Sequence, residues 1–274
     1  MIIYTYLYFQ KTIVMIYLNC WNPQNIINTE GKRNMYKNYI FDLYGTLVDI
    51  HTDEKKITLW KNMAEFYAFY GANYTPTEMR KEYERLCREE QKKLALKHDY
   101  PEIKIEKVFK KLFLNKGIKT DTKTCIIAGQ FFRVISTKYV KLYDETIELL
   151  KLLKQKGKKI YLLSNAQQIF TEYEIKALGI YDYFDGVLLS SDESCRKPSG
   201  QFFGCLFGRY DLKKEESVMI GNDWISDIEG ANHFGIDAVY IHTDISPRDT
   251  IIENIHAKLI ISDGDLGKIK KIIM

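Results

Sequence analysis

The chain has 274 residues, 46% of them hydrophobic and 28% charged, which suits a globular protein with one α/β core and an insertion. Its formal net charge of +4 is spread over 40 basic and 36 acidic residues rather than concentrated in a tail or stripe, so nucleic-acid binding is not indicated. Its five cysteines include no CxxC pair, which argues against a disulfide framework or a zinc site and favours a cytoplasmic location.

Residues 1–19 form an apolar run, MIIYTYLYFQKTIVMIYLN, that Gln10 and Lys11 interrupt. A membrane-spanning helix needs about 20 predominantly apolar residues. A signal peptide needs a positively charged start and a small-residue cleavage site, and this run has neither. We therefore predict that residues 1–34 are an appendage outside the fold, or an overlong start, and that the domain begins at Met35. A membrane anchor is the alternative interpretation.

Six short apolar runs indicate the strands of a sheet. Each is continuous rather than alternating, as is typical of strands buried on both faces. The runs are YIFDL (39–43), KIYLLS (159–164), GVLLS (186–190), SVMIG (217–221), AVYIH (238–242) and KLIIS (258–262). Because amphipathic helical patterns separate most of them, we predict an α/β fold with a doubly wound, Rossmann-like parallel sheet, built from residues 35–51 and 141–274. Ligands of such sheets bind at the carboxyl ends of the strands.

Residues 52–140 interrupt this alternation with helical periodicity and no strand signal. Apolar side chains recur three or four residues apart between Ile57 and Tyr70. Thr75 and Glu78, three residues apart around a proline, have the composition of a capping box that opens the next helix. Further helices are predicted over residues 103–115, 122–139 and 145–156, the last leading into the second core strand. The stretch is therefore predicted to be a helical cap inserted directly after the first strand.

The densest motif is the run from Phe41 to Asp49, FDLYGTLVD. An apolar strand delivers Asp42 to its carboxyl end, and Gly45 permits a tight turn just beyond it. A carboxylate in that place can attack an electrophilic phosphorus or carbon atom and form a covalent ester. Taken alone, an ordinary surface aspartate at a strand end is an equally good interpretation.

Polar residues follow the next two strands as well. The second strand ends in Ser164-Asn165, which opens a helix whose N–H groups can hold an anion. The loop after the third strand carries Lys197, which could neutralise the nucleophile and an anionic substrate, or could be a solvated surface charge.

The fourth strand is followed by two carboxylates four residues apart, Asp223 and Asp227. If both face the same place as Asp42, the three form a crowded anionic cluster that needs a cation. Hard oxygen ligands suit Mg²⁺, so we predict Mg²⁺ as the cofactor.

These four motifs, in this order, resemble those of the haloacid dehalogenase superfamily, over residues 39 to about 265. The helical insertion resembles the mobile cap of the branch that includes phosphoglycolate phosphatases, β-phosphoglucomutases and 2-haloacid dehalogenases. The resemblance implies that Asp42 is the nucleophile, that Thr46 supports the turn, and that Ser164 hydrogen-bonds the transferring group. Lys197 would balance the charge, and with Ser164 and Asn165 would bind substrate.

The resemblance also implies a metal site. Asp42, Asp223 and the backbone carbonyl of Tyr44 would hold Mg²⁺, with Asp227 either a direct ligand or a support for one. Tyr44 is the departure from the pattern, because phosphatases of this superfamily usually place an acid–base aspartate there. General acid–base catalysis contributes about 10²–10⁴ in rate, and a tyrosine with an ordinary pKa of about 10 is a poor base at neutral pH.

We therefore predict Mg²⁺-dependent hydrolysis of a small anionic metabolite, a phosphate monoester, through an aspartyl-phosphate on Asp42. One alternative is a metal-independent 2-haloacid dehalogenase, because the first motif with its Tyr44 resembles that of such enzymes. The other is a binding or regulatory protein with weakened catalysis. The dehalogenases use a cap arginine to hold substrate, and the first arginine after Asp42 is Arg80, in a helix that reads as exposed. No motif in the cap specifies the substrate, and none in the chain specifies an oligomeric state.

Overall fold

The computed structural model describes residues 36–273, which belong to one compact unit. The predicted appendage and the apolar run at residues 1–19 lie outside the described residues. Between residues 36 and 273, no helix is both long enough and apolar enough to cross a membrane.

Eight strands form two sheets in this part of the chain. They are β1 (Asn38–Phe41), β2 (Val48–Thr52), β3 (Thr137–Leu142), β4 (Lys159–Ser164), β5 (Gly186–Leu189), β6 (Ser217–Gly221), β7 (Asp237–Ile241) and β8 (Leu259–Ile261). Six of them form one parallel sheet in the order β5-β4-β1-β6-β7-β8. The predicted parallel α/β sheet is confirmed, and each of its strands lies within two residues of the run that indicated it.

Helices cover both faces of the large sheet and form the insertion. The α-helices are α1 (Ile57–Phe69), α2 (Pro76–Leu94), α3 (Ile105–Leu114), α4 (Thr122–Ser136), α5 (Thr146–Gln155), α6 (Gln168–Ala177), α7 (Ser190–Glu193), α8 (Gly200–Tyr210) and α9 (Gly230–Phe234). A π-helical segment covers Trp224–Glu229, and 3₁₀ segments cover Tyr181–Tyr183, Lys214–Glu216, Ile252–Asn254 and Leu266–Ile272.

The alternation of side chains along β1 shows why residues 39–41 are apolar without interruption. Tyr39 and Phe41 point into a core that includes Leu150 of α5, whereas Ile40 points into the core on the opposite face, which includes Phe203 of α8. Successive side chains of a strand point to opposite faces, and both faces here are covered. A continuous apolar run is therefore what this central strand requires.

The helices α1 to α4 share a second hydrophobic core, in which Trp60, Tyr67, Phe109 and Phe132 are buried together with Ile169 of α6. The capping box at the start of α2 is present, with both reciprocal hydrogen bonds between Thr75 and Glu78. The predicted division of the chain into core and cap at residues 52 and 140 stays a prediction.

One expectation about the insertion is wrong, because strands lie at both of its ends. β2 and β3 pair as an antiparallel two-stranded ribbon, and α4 ends at Ser136 rather than at residue 139. The ribbon is partly exposed, so apolar and polar residues are mixed along it instead of forming a continuous apolar run. Only strands that are buried on both faces have continuous apolar runs, so the sequence of this ribbon lacks that signal. The ribbon carries the chain from β1 into the cap and back.

Candidate active site

Asp42 lies at the carboxyl end of β1, in the middle of the large sheet. Its backbone N–H donates to the carbonyl of Ile220 in β6, 2.9 Å away. On the other side, the hydroxyl of Ser164, the last residue of β4, donates to Oδ1 of Asp42 at 3.1 Å. The Asp42 side chain is buried. The polar residues that follow β4 and β6 therefore converge on this carboxylate.

The turn after Asp42 requires glycine at position 45. Gly45 has a φ of +87°, in the left-handed region that other residues disfavour. A Cβ at this position would lie 2.2 Å from Nδ2 of Asn222. The hydroxyl of Thr46 donates to Oδ1 of Asn222 at 3.3 Å. Asn222 is a site residue that the motifs did not indicate, although its place directly after a buried strand is a signal for it.

Lys197 connects Asp42 to Asp227. Its Nζ lies 2.7 Å from Oδ1 of Asp42 and 2.7 Å from Oδ1 of Asp227, and its side chain is 1% exposed. Asn165 fixes the lysine loop, because its side chain accepts from the backbone N–H of Lys197 at 2.8 Å and donates to the Lys197 carbonyl at 3.1 Å. The interpretation of Lys197 as a solvated surface charge is therefore wrong.

Burial and charge act in opposite directions on this ion pair. Burial disfavours the ammonium of Lys197, but the carboxylates of Asp227 and Asp42 outweigh it and raise the pKa of the lysine. Burial is also the largest influence on Asp227, where it raises the pKa against the opposing charge of Lys197. Lys197 is therefore a cation at neutral pH and attracts anionic groups toward Asp42.

Asp223 and Asp227 fix the loop after β6. Oδ1 of Asp223 accepts from the N–H groups of Ile225 and Ser226, both at 3.0 Å, and so caps the helical segment that follows. Oδ2 of Asp227 accepts from the N–H of Asp223 at 3.0 Å, while its Oδ1 pairs with Lys197. Asp227 thus ties the loop that carries Asp223 to the buried lysine.

A cavity of about 230 Å³ lies over these groups. The residues at its surface are Asp42, Tyr44, Ser164, Asn165, Asn222, Asp223, Ser226, Asp227, Ile245 and Pro247. Thr46 and Lys197 do not line the cavity but hydrogen-bond residues that do. Thr46 donates to Asn222, and Lys197 donates to Asp42. The structure therefore brings together all the residues that the motifs indicated.

The oxygen atoms facing the cavity suit a hard divalent cation. Oδ1 of Asp42 and Oδ1 of Asp223 both accept hydrogen bonds, but no described residue donates to Oδ2 of either. Mg²⁺ is commonly held by one or two carboxylates, with water completing its coordination. Within residues 36–273, no three His, Cys, Asp or Glu side chains are grouped so as to hold a metal ion by themselves. Two carboxylates with water or substrate oxygens is the arrangement that these residues fit.

The hydroxyl of Tyr44 is engaged with helix α6. That hydroxyl donates to Oε2 of Glu174 at 2.5 Å and lies 3.0 Å from the hydroxyl of Thr171, both on α6. Burial, and then the charge of Glu174, raise the pKa of Tyr44 well above its ordinary value. A hydroxyl held in this way is a weaker acid than a free tyrosine.

Arg133 completes this group from the cap. Its guanidinium donates to both carboxylate oxygens of Glu174, at 2.6 and 3.1 Å, and lies 5.4 Å from the centre of the Tyr44 ring. Neither Arg133 nor Glu174 belongs to a motif, and each is one of several charged residues on an amphipathic helix, so no local signal indicated them. Arg80, the first arginine after Asp42, is exposed and pairs with Glu84 at 2.8 Å.

Comparison with known proteins identifies the family. Residues 36–235 match the model of the haloacid dehalogenase-like hydrolases, and the chain belongs to that family. Glyceraldehyde 3-phosphate phosphatase of Methanothermobacter thermautotrophicus is 29% identical over 164 residues, which cover 58% of this chain and 72% of that protein. Ribulose-1,5-bisphosphate 5-phosphatase of Halopiger xanaduensis is 32% identical over 100 residues, which cover 36% of this chain and 42% of that protein.

The fold is shared with solved structures of the same family. A 2-haloacid dehalogenase from Pseudomonas syringae pv. Tomato DC3000 aligns with a TM-score of 0.59 at 18% identity, covering 87% of this chain and 98% of that one. At this identity the likeness concerns the fold alone. The family membership confirms the expected class of enzyme, a hydrolase, and the two relatives similar in sequence are phosphatases.

Proposed function

We propose that this hydrolase cleaves a small phosphate monoester through a covalent aspartyl-phosphate on Asp42. One observation carries the proposal. One oxygen of the buried Asp42 carboxylate is held by Ser164 and Lys197, at 3.1 and 2.7 Å, while no described residue donates to the other oxygen, and the carboxylate lines the cavity. A carboxylate held in this way is oriented to attack a bound electrophile.

The residues around Asp42 have two further roles in this proposal, which are to bind the phosphoryl group and to balance its charge. Lys197 offsets the negative charge of Asp42 and of an incoming phosphoryl group. Ser164 and Asn165 line the same cavity and offer hydrogen-bond donors to the phosphoryl oxygens. Asn165 also fixes the loop of Lys197, so a change at Asn165 alters both binding and the position of the lysine.

Mg²⁺ is the cofactor that this proposal requires. Asp42 and Asp223, together with the backbone carbonyl of Tyr44, would hold it. A bound Mg²⁺ would neutralise charge on the phosphoryl group and help to orient it. Asp227 supports Asp223 from behind, since both of its oxygens are already engaged with Lys197 and the N–H of Asp223.

The experiment is a comparison of Asp42→Asn with the parent protein on a panel of small phosphate esters, with Mg²⁺ and with EDTA. Asparagine preserves the shape of the side chain and can still accept from Ser164 and Lys197, but it is not a nucleophile. We expect phosphate release to fall by at least about 10³-fold and the parent protein to lose activity in EDTA. Asp182→Asn, at an exposed position in a 3₁₀ segment, is the matched control and should behave as the parent. Parent-like turnover by Asp42→Asn would contradict the proposed nucleophile.

A metal-independent dehalogenase is the second candidate, and the position of the Tyr44 hydroxyl favours it. Displacement of halide needs no acid for the leaving group, and this hydroxyl is engaged with Glu174. Chloride release from a 2-haloacid in the presence of EDTA would support that candidate. Phosphate release that depends on Mg²⁺, without chloride release, would exclude it. Mg²⁺ binding without turnover of either class of substrate would instead indicate a binding or regulatory protein.

A further inference from the structure

We propose that the enzyme acts on phosphate compounds whose leaving group is weakly basic, such as acyl phosphates, enol phosphates or phosphoanhydrides, because none of the side chains that the structure describes around the cavity is placed to protonate the leaving oxygen. This inference rests on the proposed phosphohydrolase function and specifies its substrate class. It follows from the side chain that lies two residues after the nucleophile and from the other groups at the cavity surface.

Tyr44 is the first possible proton donor, and its hydroxyl is already committed. It donates to Glu174 at 2.5 Å and contacts Thr171 at 3.0 Å, and neither of these residues lines the cavity. Arg133 holds Glu174 in place with two hydrogen bonds, and its own side chain is 18% exposed. To reach a leaving group, the hydroxyl would have to leave a charge-assisted hydrogen bond in a largely buried network.

The carboxyl groups of the cavity all accept hydrogen bonds from N–H or O–H donors, as ionised carboxylates do. Asp42 is the nucleophile, and Asp223 accepts two backbone hydrogen bonds. Both oxygens of Asp227 accept, from Lys197 and from the N–H of Asp223. Lys197 itself does not line the cavity and places its ammonium between two carboxylates. No histidine lines this cavity among the residues that the structure describes.

The chemistry then proceeds without a protein acid. An oxygen of Asp42 forms a bond to phosphorus, the bond from phosphorus to the leaving oxygen breaks, and its electron pair departs on that oxygen as an anion. Water protonates the anion only after departure. In the second step a water oxygen bonds to phosphorus, and the bond between phosphorus and the Asp42 oxygen breaks. The electron pair of that bond returns to Asp42, and one proton of the water is released together with inorganic phosphate.

The absence of an acid has different consequences for different leaving groups. A carboxylate, an enolate or a phosphate leaves readily as an anion, whereas an alkoxide does not. Acid catalysis is typically worth about 10²–10⁴ in rate where the leaving group needs it. Alkyl phosphates should therefore be poor substrates, and acyl phosphates should be good ones. Alkyl phosphates belong in the test because glyceraldehyde 3-phosphate, which a relative is named for, is one of them.

The experiment measures kcat/KM for a series of phosphate compounds in order of leaving-group basicity, with the full chain and Mg²⁺. The series is acetyl phosphate, dinitrophenyl phosphate, nitrophenyl phosphate, phenyl phosphate and glycerol phosphate. We expect kcat/KM to fall by about 10²-fold or more from dinitrophenyl to phenyl phosphate. Every substrate yields the same aspartyl-phosphate, so substrates that form it faster than water hydrolyses it should share one kcat. With dinitrophenyl phosphate, a burst of dinitrophenol should then precede steady turnover.

Tyr44→Asp tests the cause of the steep dependence. It supplies a carboxylic acid at the position in question, so we expect kcat/KM for phenyl phosphate to rise relative to that for dinitrophenyl phosphate. Tyr173→Asp is the matched control, because Tyr173 is 60% exposed on the same helix as Glu174 and the chemical change is identical. The control should keep the steep dependence of the parent.

The outcomes separate this inference from the proposed function. A flat dependence in the parent protein, with turnover that still requires Asp42, overturns the inference and leaves the phosphatase proposal standing. The parent series decides the matter even where Tyr44→Asp does not fold. Turnover of no member of the series overturns the proposed function and the inference with it.

Discussion

The ammonium of Lys197 lies 2.7 Å from Oδ1 of Asp42, although 155 residues separate the two in the chain. The same ammonium contacts Asp227 at 2.7 Å, and all three side chains are buried. Charges in such surroundings interact strongly but are expensive to leave unpaired. Lys197 is therefore important for the stability of the site.

Removal of this lysine should destabilise the whole domain. In Lys197→Met a side chain of similar length replaces the ammonium, and Asp42 and Asp227 lose their counter-charge. Breaking a buried pair in this way costs about 3–5 kcal/mol, which urea denaturation at neutral pH would measure. Lys159→Met is the control, because Lys159 is 60% exposed in its ion pair with Asp185. Equal losses of unfolding free energy in both variants would contradict the buried ion pairs of Lys197 with Asp42 and Asp227.

Gly45→Ala should be more destabilising than an alanine at a comparable glycine. Gly45 and Gly179 have similar positive φ values, +87° and +71°, so both substitutions carry the same conformational strain of about 1–2 kcal/mol. Only at Gly45 would the new Cβ collide with Asn222, since nothing lies within 4 Å at Gly179. We expect Gly45→Ala to lose a further 1–3 kcal/mol or so in free energy of unfolding. Indistinguishable denaturation midpoints would refute the close contact.

Mg²⁺ should stabilise the parent protein, and Asp223→Asn should weaken that effect. Asparagine keeps an acceptor for the N–H groups of Ile225 and Ser226, so the loop after β6 is retained while the charge is lost. Because a ligand that binds the folded state raises the melting temperature, a thermal titration with Mg²⁺ reads binding without any enzyme assay. The variant should need at least about tenfold more Mg²⁺ for the same rise in melting temperature. Asp182→Asn is the control, and a parent-like response of Asp223→Asn would remove Asp223 from the metal site.

The raised pKa of Glu102 predicts that the stability of the protein depends on pH. It lies between α2 and α3 and accepts from Gln167, Ile103 and Ser190, each at 3.1 Å. Burial raises its pKa above the ordinary value of 4.5, so its contribution to stability is greatest below that pH and is lost as the pH rises through the raised pKa. Glu102→Gln should therefore gain in melting temperature relative to the parent between acidic and neutral pH. Glu253→Gln, at an exposed position, is the control, and its melting temperature should differ from that of the parent by the same amount at every pH. A difference that stays constant with pH in Glu102→Gln as well would contradict the raised pKa of Glu102.

The strands and the turn after Asp42 were accessible from local sequence patterns. β4 and β6 coincide with their apolar runs, because a strand buried on both faces needs apolar residues at every position. The ribbon of β2 and β3 was not accessible in this way. Its partly exposed residues give no continuous run, and its pairing joins segments on either side of the cap.

Local sequence patterns predict the large sheet, the helices of the insertion and the polar residues at the strand ends, because each is encoded in a short stretch of neighbouring residues. Which of these residues meet depends on the three-dimensional packing of the elements. The hydroxyl of Tyr44 reaches Glu174, 130 residues away, and Glu174 in turn is held by Arg133 from another helix. Such contacts depend on how distant elements pack against one another, and no periodicity along the chain records that packing.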